Sequence, residues 1–174
     1  MALNELLLPE LDMELANTRK VLERLPVDKL DWRPHEKSGS LVWLAKHLAN
    51  LPGWGTLTLV RDSYDMAPDA KIPDDFPGDS VREAILAVFD HKAAELRAAL
   101  IGTSDEAFQH PWTFSVGGKP LFTQPRYAVL RGMFLNHLIH HRAQFCVYLR
   151  MNNVPLPAIY GPTADEQFGE GNAG

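Results

Sequence analysis

Leu130, Phe134, His137, His141, Phe145 and Tyr148 follow one another at spacings of four, three, four, four and three, the repeat of a single α-helical face. The pattern extends over residues 124–151, too long for a strand. It commits the C-terminal part of the chain to a long amphipathic helix. Such a helix has to bury its stripe against others, and three further patterns supply them. Residues 9–25 open at Pro9, suited to a first helical position, carry Leu11, Leu15, Thr18, Leu22 and Leu25, and stop before Pro26. Residues 40–61 begin near Ser38 or Ser40, both good caps, and run through Leu41, Leu44, Ala45, Leu48 and Leu51. Pro52 and Gly53 should kink this helix, while Trp54, Leu57 and Leu59 carry it on. Residues 80–101 start with Ser80 and Glu83 at capping-box spacing and end at Gly102. The fold expected is all-α, a four-helix bundle with long crossover connections and a C-terminal tail over 152–174. Residues 66–78 are too rich in Pro and Asp for regular structure. His110 to Phe122, with Gly117-Gly118 inside, reads as a small hairpin or a structured loop.

At 174 residues, 45% of them hydrophobic, the chain reads as one domain with a sizeable core. No apolar run approaches the length of a membrane span, about 18 residues, so no membrane partner is expected. The single cysteine, Cys146, has no intrachain partner and sits between Phe145 and Val147, as a buried structural thiol would. A cytoplasmic protein is expected. Against 17 Lys and Arg stand 22 Asp and Glu, a balance that argues against nucleic acid as a partner. The charge is also unevenly placed. Between Ala107 and Ala164 there is no carboxylate side chain, while Lys119, Arg126, Arg131, Arg142 and Arg150 and four of the seven histidines lie there.

His137 and His141 stand one helical turn apart on one face, read as the inward one, with His140 on its flank as the fallback. Two imidazoles so placed can present ring nitrogens to one cation, and His47 on the second helix offers a third. Three neutral histidines leave coordination positions open, as catalytic sites do, and their softness favours zinc, nickel, iron or copper over magnesium or calcium. A lone histidine among apolar neighbours is more commonly a hydrogen-bonded core residue. His35 and His110, each beside a proline, read as loop residues, and His91 as solvated.

The run Asn136-His137-Leu138-Ile139-His140-His141-Arg142-Ala143-Gln144, followed by Val147-Tyr148-Leu149-Arg150, resembles the last helix of the DinB-like (YfiT-like) superfamily of metal-binding four-helix bundles. Trp32-Arg33-Pro34 with Ser38 to Ser40, Leu44-Ala45-Lys46-His47-Leu48 and Tyr160-Gly161-Pro162-Thr163-Ala164-Asp165-Glu166 extend the resemblance along nearly the whole chain. Ala143 departs from it, standing where many relatives have glycine. By this resemblance His47, His137 and His141 match the family's three metal ligands. It also implies zinc or nickel, with iron possible, a homodimer, and an activity among thiol-dependent transferases or hydrolase-like enzymes.

The function expected is therefore a divalent-metal-dependent transferase or hydrolase acting on a small electrophilic or anionic molecule, with a low-molecular-weight thiol as a possible second cofactor. The alternative is a non-catalytic, metal-binding, dimeric stress-related protein. Arg142 and Arg150 either steady an anion or are structural, and Asp165 and Glu166 either supply a base from a tail folded over the pocket or belong to a plain tail. Trp43 and Trp54 would be walls of that pocket or part of a dimer face.

Overall fold

The computed structural model describes residues 1–69 and 81–167. Its elements in chain order are α1 (Leu3–Leu22), α2 (Leu41–Val60), β1 (Ser63–Met66), α3 (Val81–Ile101), α4 (Asp105–Gln109), β2 (Pro111–Val116), β3 (Lys119–Pro125), α5 (Arg126–Val129), a π-helical segment (Leu130–Asn136) and α6 (His137–Met151). The long helices close a ring: α1 packs on α3, α3 on α2, α2 on α6 and α6 on α1. Consecutive α1 and α2 are thus not the principal neighbours, as long connections permit. Among the described residues no helix is long and apolar enough to cross a membrane.

An all-α reading is corrected by a three-stranded sheet of order β1-β2-β3, with β1 parallel and β3 antiparallel to β2. Gly117 and Gly118, at φ +56° and +78°, make the two-residue turn between β2 and β3, the positive dihedrals that a right-twisted hairpin needs. Strand β1 depends on a parallel partner far along the chain, which local pattern does not reveal. Trp112 and Phe114 of β2 are buried with Val129, and Trp54 and Leu57 of α2, Tyr64 and Met133 pack against them. The sheet therefore covers the C-terminal half of α2 and the π-helical segment.

Helix α1 starts at Leu3, with Pro9 inside it, where the sequence placed the start at Pro9 itself. The extra turn is held from outside. Leu3 N–H donates to Asp105 (2.7 Å) and the Asn4 amide to the Ile101 carbonyl (2.9 Å), so the first turn of α1 is tied to the end of α3 and the start of α4, and the helix runs on despite the hydrogen bond that Pro9 cannot make. Helix α2 opens at Ser40, whose hydroxyl accepts from Trp43 N–H (3.3 Å), and continues through Pro52. The capping pair proposed for α3 includes Ser80, outside the described residues. The expected single α-helix over 124–151 begins two residues later, because Gln124 and Pro125 belong to β3, and it includes the π-helical segment. Gly132 lies in that segment.

Within α6 the fully buried stripe is Leu138, Arg142, Phe145 and Leu149, while His137, His141 and Tyr148 are half-buried beside it. The inward face is thus displaced by one residue from the expected stripe of His137, His141 and Tyr148, because a cation, Arg142, occupies the buried position. Arg142 is 2% exposed and has a partner for each bond it makes. Its Nη2 lies 2.5 Å from a Glu14 carboxylate oxygen, its Nη1 donates to the Glu14 carbonyl (3.0 Å) and Thr18 hydroxyl (3.2 Å), and it also donates to the Tyr160 hydroxyl. Tyr160 in turn donates to Glu14 (2.7 Å), its phenol pushed up by burial and by that bond. Cys146 is half-buried and its thiol is pushed up by burial.

Removing one member of this buried ion pair leaves the other charge without compensation. Arg142→Met should cost about 3–5 kcal/mol in urea unfolding, and Glu14→Leu combined with it should restore much of the loss, since apolar replacements of similar volume often substitute for buried pairs. At the hairpin, a Cβ added to Gly118 would meet nothing within 4 Å. Gly118→Ala should therefore report the left-handed backbone alone, about 1–2 kcal/mol of lost stability in thermal unfolding.

Candidate metal centre

His47 is carried by α2, whose first turn is anchored by Ser40, and His137 and His141 by the first turns of α6. Arg126 fixes the two helical runs relative to each other. Only 5% exposed, it donates to Asp62 (2.6 Å) and the Arg61 carbonyl (3.1 Å) just beyond α2, and to the Ala107 carbonyl (3.1 Å). On the other side of α6, Arg142 is held in the seam with α1. Neighbouring helix positions differ by about 100°, so anchoring residue 142 toward α1 turns His141 toward α2.

The three imidazoles converge there. His141 Nε2 is 2.7 Å and His47 Nε2 3.2 Å from His137 Nε2, and one nitrogen from each ring falls in a group within 4.8 Å. Their remaining nitrogens face outward: His137 Nδ1 is 3.3 Å from the Met133 carbonyl, and His141 Nδ1 is 2.7 Å from Gln144 Oε1. Both oxygens can only accept, so each Nδ1 carries the proton and each Nε2 directs a lone pair inward. Burial, followed by repulsion from His141 and His137, pushes His47 down to about 3. Burial also lowers His137 and His141, only partly opposed by the Met133 and Gln144 hydrogen bonds. All three are therefore neutral at pH 7, the form that binds a metal.

The donor set fits a soft divalent ion. A tetrahedral ion about 2.1 Å from each nitrogen sets ligand atoms roughly 3.4 Å apart, close to the His47–His137 separation and a small opening from the His137–His141 one. Among the described residues, no cysteine, aspartate or glutamate joins the three histidines.

The other residues singled out by sequence lie elsewhere. His140 is exposed, its ring 4.9 Å from that of His141 and outside the convergent group. His35 Nδ1 accepts from Lys37 N–H (3.1 Å), and His91 is exposed beside Glu95 (3.4 Å). Arg142 is taken up by Glu14, and Arg150 pairs with Asp165 (2.5 Å). Asp165 also accepts from Leu156 N–H and Glu166 from Ala158 N–H (both 2.9 Å). Both arginines are thus structural, the second of the two readings, and Asp165 and Glu166 are engaged within the tail. Arg150, with the Leu156 amide, keeps the Asp165 carboxyl below its usual range. Trp54 stands edge-on to Tyr64, ring centres 5.1 Å apart, in the sheet cluster. Trp43 stacks on His47, centres 5.2 Å apart and planes within 10°. Gln144 was missed by sequence reasoning, although its place three residues after His141 is the spacing at which helical side chains meet.

No curated protein sequence matches the chain. Among solved structures, a DinB-like protein from Bacillus cereus aligns with a TM-score of 0.68 and 21% identity, over 91% of this chain and 98% of that one. The DinB-like protein YjoA from Bacillus subtilis aligns with a TM-score of 0.66 and 17% identity, over 93% of this chain and 98% of that one. These likenesses concern the fold. A sequence model of the DinB superfamily matches residues 10–145, and the chain belongs to that superfamily.

Proposed function

We propose that the protein is a divalent-metal-dependent enzyme whose ligands are His47, His137 and His141, set in a four-helix bundle of DinB type. The observation that carries this reading is the convergence of three neutral Nε2 atoms with no carboxylate or thiolate among them. Two lone pairs 2.7 Å apart repel, and burial opposes relief by a proton. A soft cation satisfies both demands. Three protein ligands leave at least one position open, the arrangement of catalytic rather than structural zinc-type sites. An ion bound there would lower the pKa of a water or a thiol and supply a nucleophile near neutral pH.

What the chain itself contributes is orientation. Met133 and Gln144 hold the tautomers of His137 and His141, and Trp43 covers one face of His47. The best-supported activity is thiol-dependent transfer or hydrolysis on a small electrophilic molecule, with zinc or nickel as the ion, in a homodimer. A preference for anionic groups would rest on the charge of the ion alone, because the neighbouring arginines are paired.

Protein purified without an affinity tag should contain close to one zinc or nickel per chain by elemental analysis. Alanine at His47, His137 or His141 should each abolish it. With metal at 100 times its dissociation constant, the wild type should gain about 2.7 kcal/mol of stability over the chelated form, and the three variants almost none. Gln144→Leu removes the acceptor on His141 Nδ1 and should weaken metal binding about tenfold or more in competition titrations. A screen of low-molecular-weight thiols against electrophilic substrates then tests catalysis. Stoichiometric metal with neither thiol transfer nor hydrolysis would replace the enzyme by a non-catalytic metal-binding protein.

A further inference from the structure

His47 differs from its two partners in how its ring is held. His137 and His141 each have a protein oxygen at Nδ1, but among the described residues no hydrogen bond reaches Nδ1 of His47. The His47 ring is instead enclosed by other rings. His141 meets it edge-on with centres 4.5 Å apart, His137 is tilted at 5.0 Å, and the Trp43 indole lies parallel at 5.2 Å. Of these three neighbours, only Trp43 is not itself a member of the convergent group.

Trp43 is poorly explained as a core residue. It is 43% exposed, while Val42 beside it is half-buried against the main hydrophobic cluster. Its position is nonetheless tightly specified. A Cβ built on Gly39 would lie 2.4 Å from indole Cε3 and 2.9 Å from Cδ2, so the backbone of Gly39 approaches the ring as only glycine allows. The surrounding turn is fixed as well: Leu41 N–H donates to the Trp32 carbonyl (2.9 Å), Val42 N–H to the Leu30 carbonyl (3.0 Å) and Trp43 N–H to Ser40. The indole is thus held between the backbone of Gly39 and one imidazole.

We propose that Trp43, clamped by Gly39, is the positioning residue for His47 and sets the metal affinity of the centre, doing by stacking what Met133 and Gln144 do by hydrogen bonding for the other two rings. The inference rests on the reading of the three histidines as metal ligands. It predicts dependence on a flat ring at position 43 and on the absence of a side chain at position 39. A phenyl ring retains a stacking face, whereas a methyl group removes the one ring contact on His47, among the described residues, that comes from outside the group of three. A methyl group on Gly39 would displace the indole while leaving every ligand in place.

The test uses the full chain and Co²⁺ as the probe, with affinity from calorimetry and coordination geometry from the visible absorption of the bound ion. His47→Ala serves as the control for the centre, and unfolding midpoints of the chelated proteins report folding. Trp43→Ala and Gly39→Ala should each weaken Co²⁺ binding about tenfold or more and alter the absorption bands, while Trp43→Phe should stay within about threefold of wild type, the scale of effects seen for groups that orient metal ligands. If Trp43→Ala does not fold, Gly39→Ala carries the test by the same criterion. Wild-type affinity and an unchanged spectrum in the folded variants, even with lowered unfolding midpoints, would make Trp43 a structural residue and overturn the inference. Co²⁺ binding by wild type that His47→Ala leaves intact, or no binding by wild type at all, would overturn the metal-centre reading itself.

Discussion

The contact on which the centre most depends lies outside it. Arg142 and Glu14 form an ion pair with both side chains nearly inaccessible, and a charge in such a place is tolerated only if its bonds are met on every side. Glu14, Thr18 and Tyr160 accept from both terminal nitrogens of Arg142, bringing together α1, α6 and the tail. A turn of α6 by one residue would move Arg142 away from all three and leave Glu14 buried and alone. The helix is therefore fixed about its own axis at the residue that follows His141. Apolar packing, which tolerates volume-conserving rearrangement, would not fix it so sharply.

Arg126 plays the corresponding part between α2 and the C-terminal helical run. Its bonds to Asp62, Arg61 and Ala107 tie the start of that run to the end of α2. The sheet then packs Trp112 and Phe114 over Trp54, Leu57 and Met133, closing that end of the structure. With one cation holding α6 to α1 and another holding the run to α2, little freedom remains in the distance between His47 and the pair on α6.

The sequence was most informative where one element decides the outcome. The four long helices follow from apolar repeats, and the i, i+4 relation of His137 to His141 is a property of any α-helix. Bringing His47 to them needed two helices at once, and what singled it out was the resemblance of Leu44-Ala45-Lys46-His47-Leu48 to the DinB-like pattern. What was not legible depended on partners distant in the chain. Strand β1 exists because β2 pairs with it, and the turn before Pro9 because Asp105 and Ile101 hold it. That Arg142 is structural rather than an anion clamp becomes legible only when Glu14, from the first helix, is placed against it. The π-helical segment has no marker in its residues at all.

The uneven charge acquires a different meaning in the folded chain. A stretch of 107–164 with five cations and no carboxylate suggests an electropositive pocket, but its four arginines are all engaged by acids from outside the stretch. Arg126 pairs with Asp62, Arg131 with Glu10, Arg142 with Glu14 and Arg150 with Asp165. Three of those acids precede α3 and the fourth lies in the tail. The asymmetry is thus chiefly a complementarity between the C-terminal helical run and what packs around it. Its value differs from pair to pair: Arg131 and Arg150 are solvent-accessible and such pairs contribute about 0–1 kcal/mol, whereas Arg142 is buried and specifies one arrangement. The positive charge of these four arginines is thus taken up in assembling the fold, and none of it is left over for the three histidines.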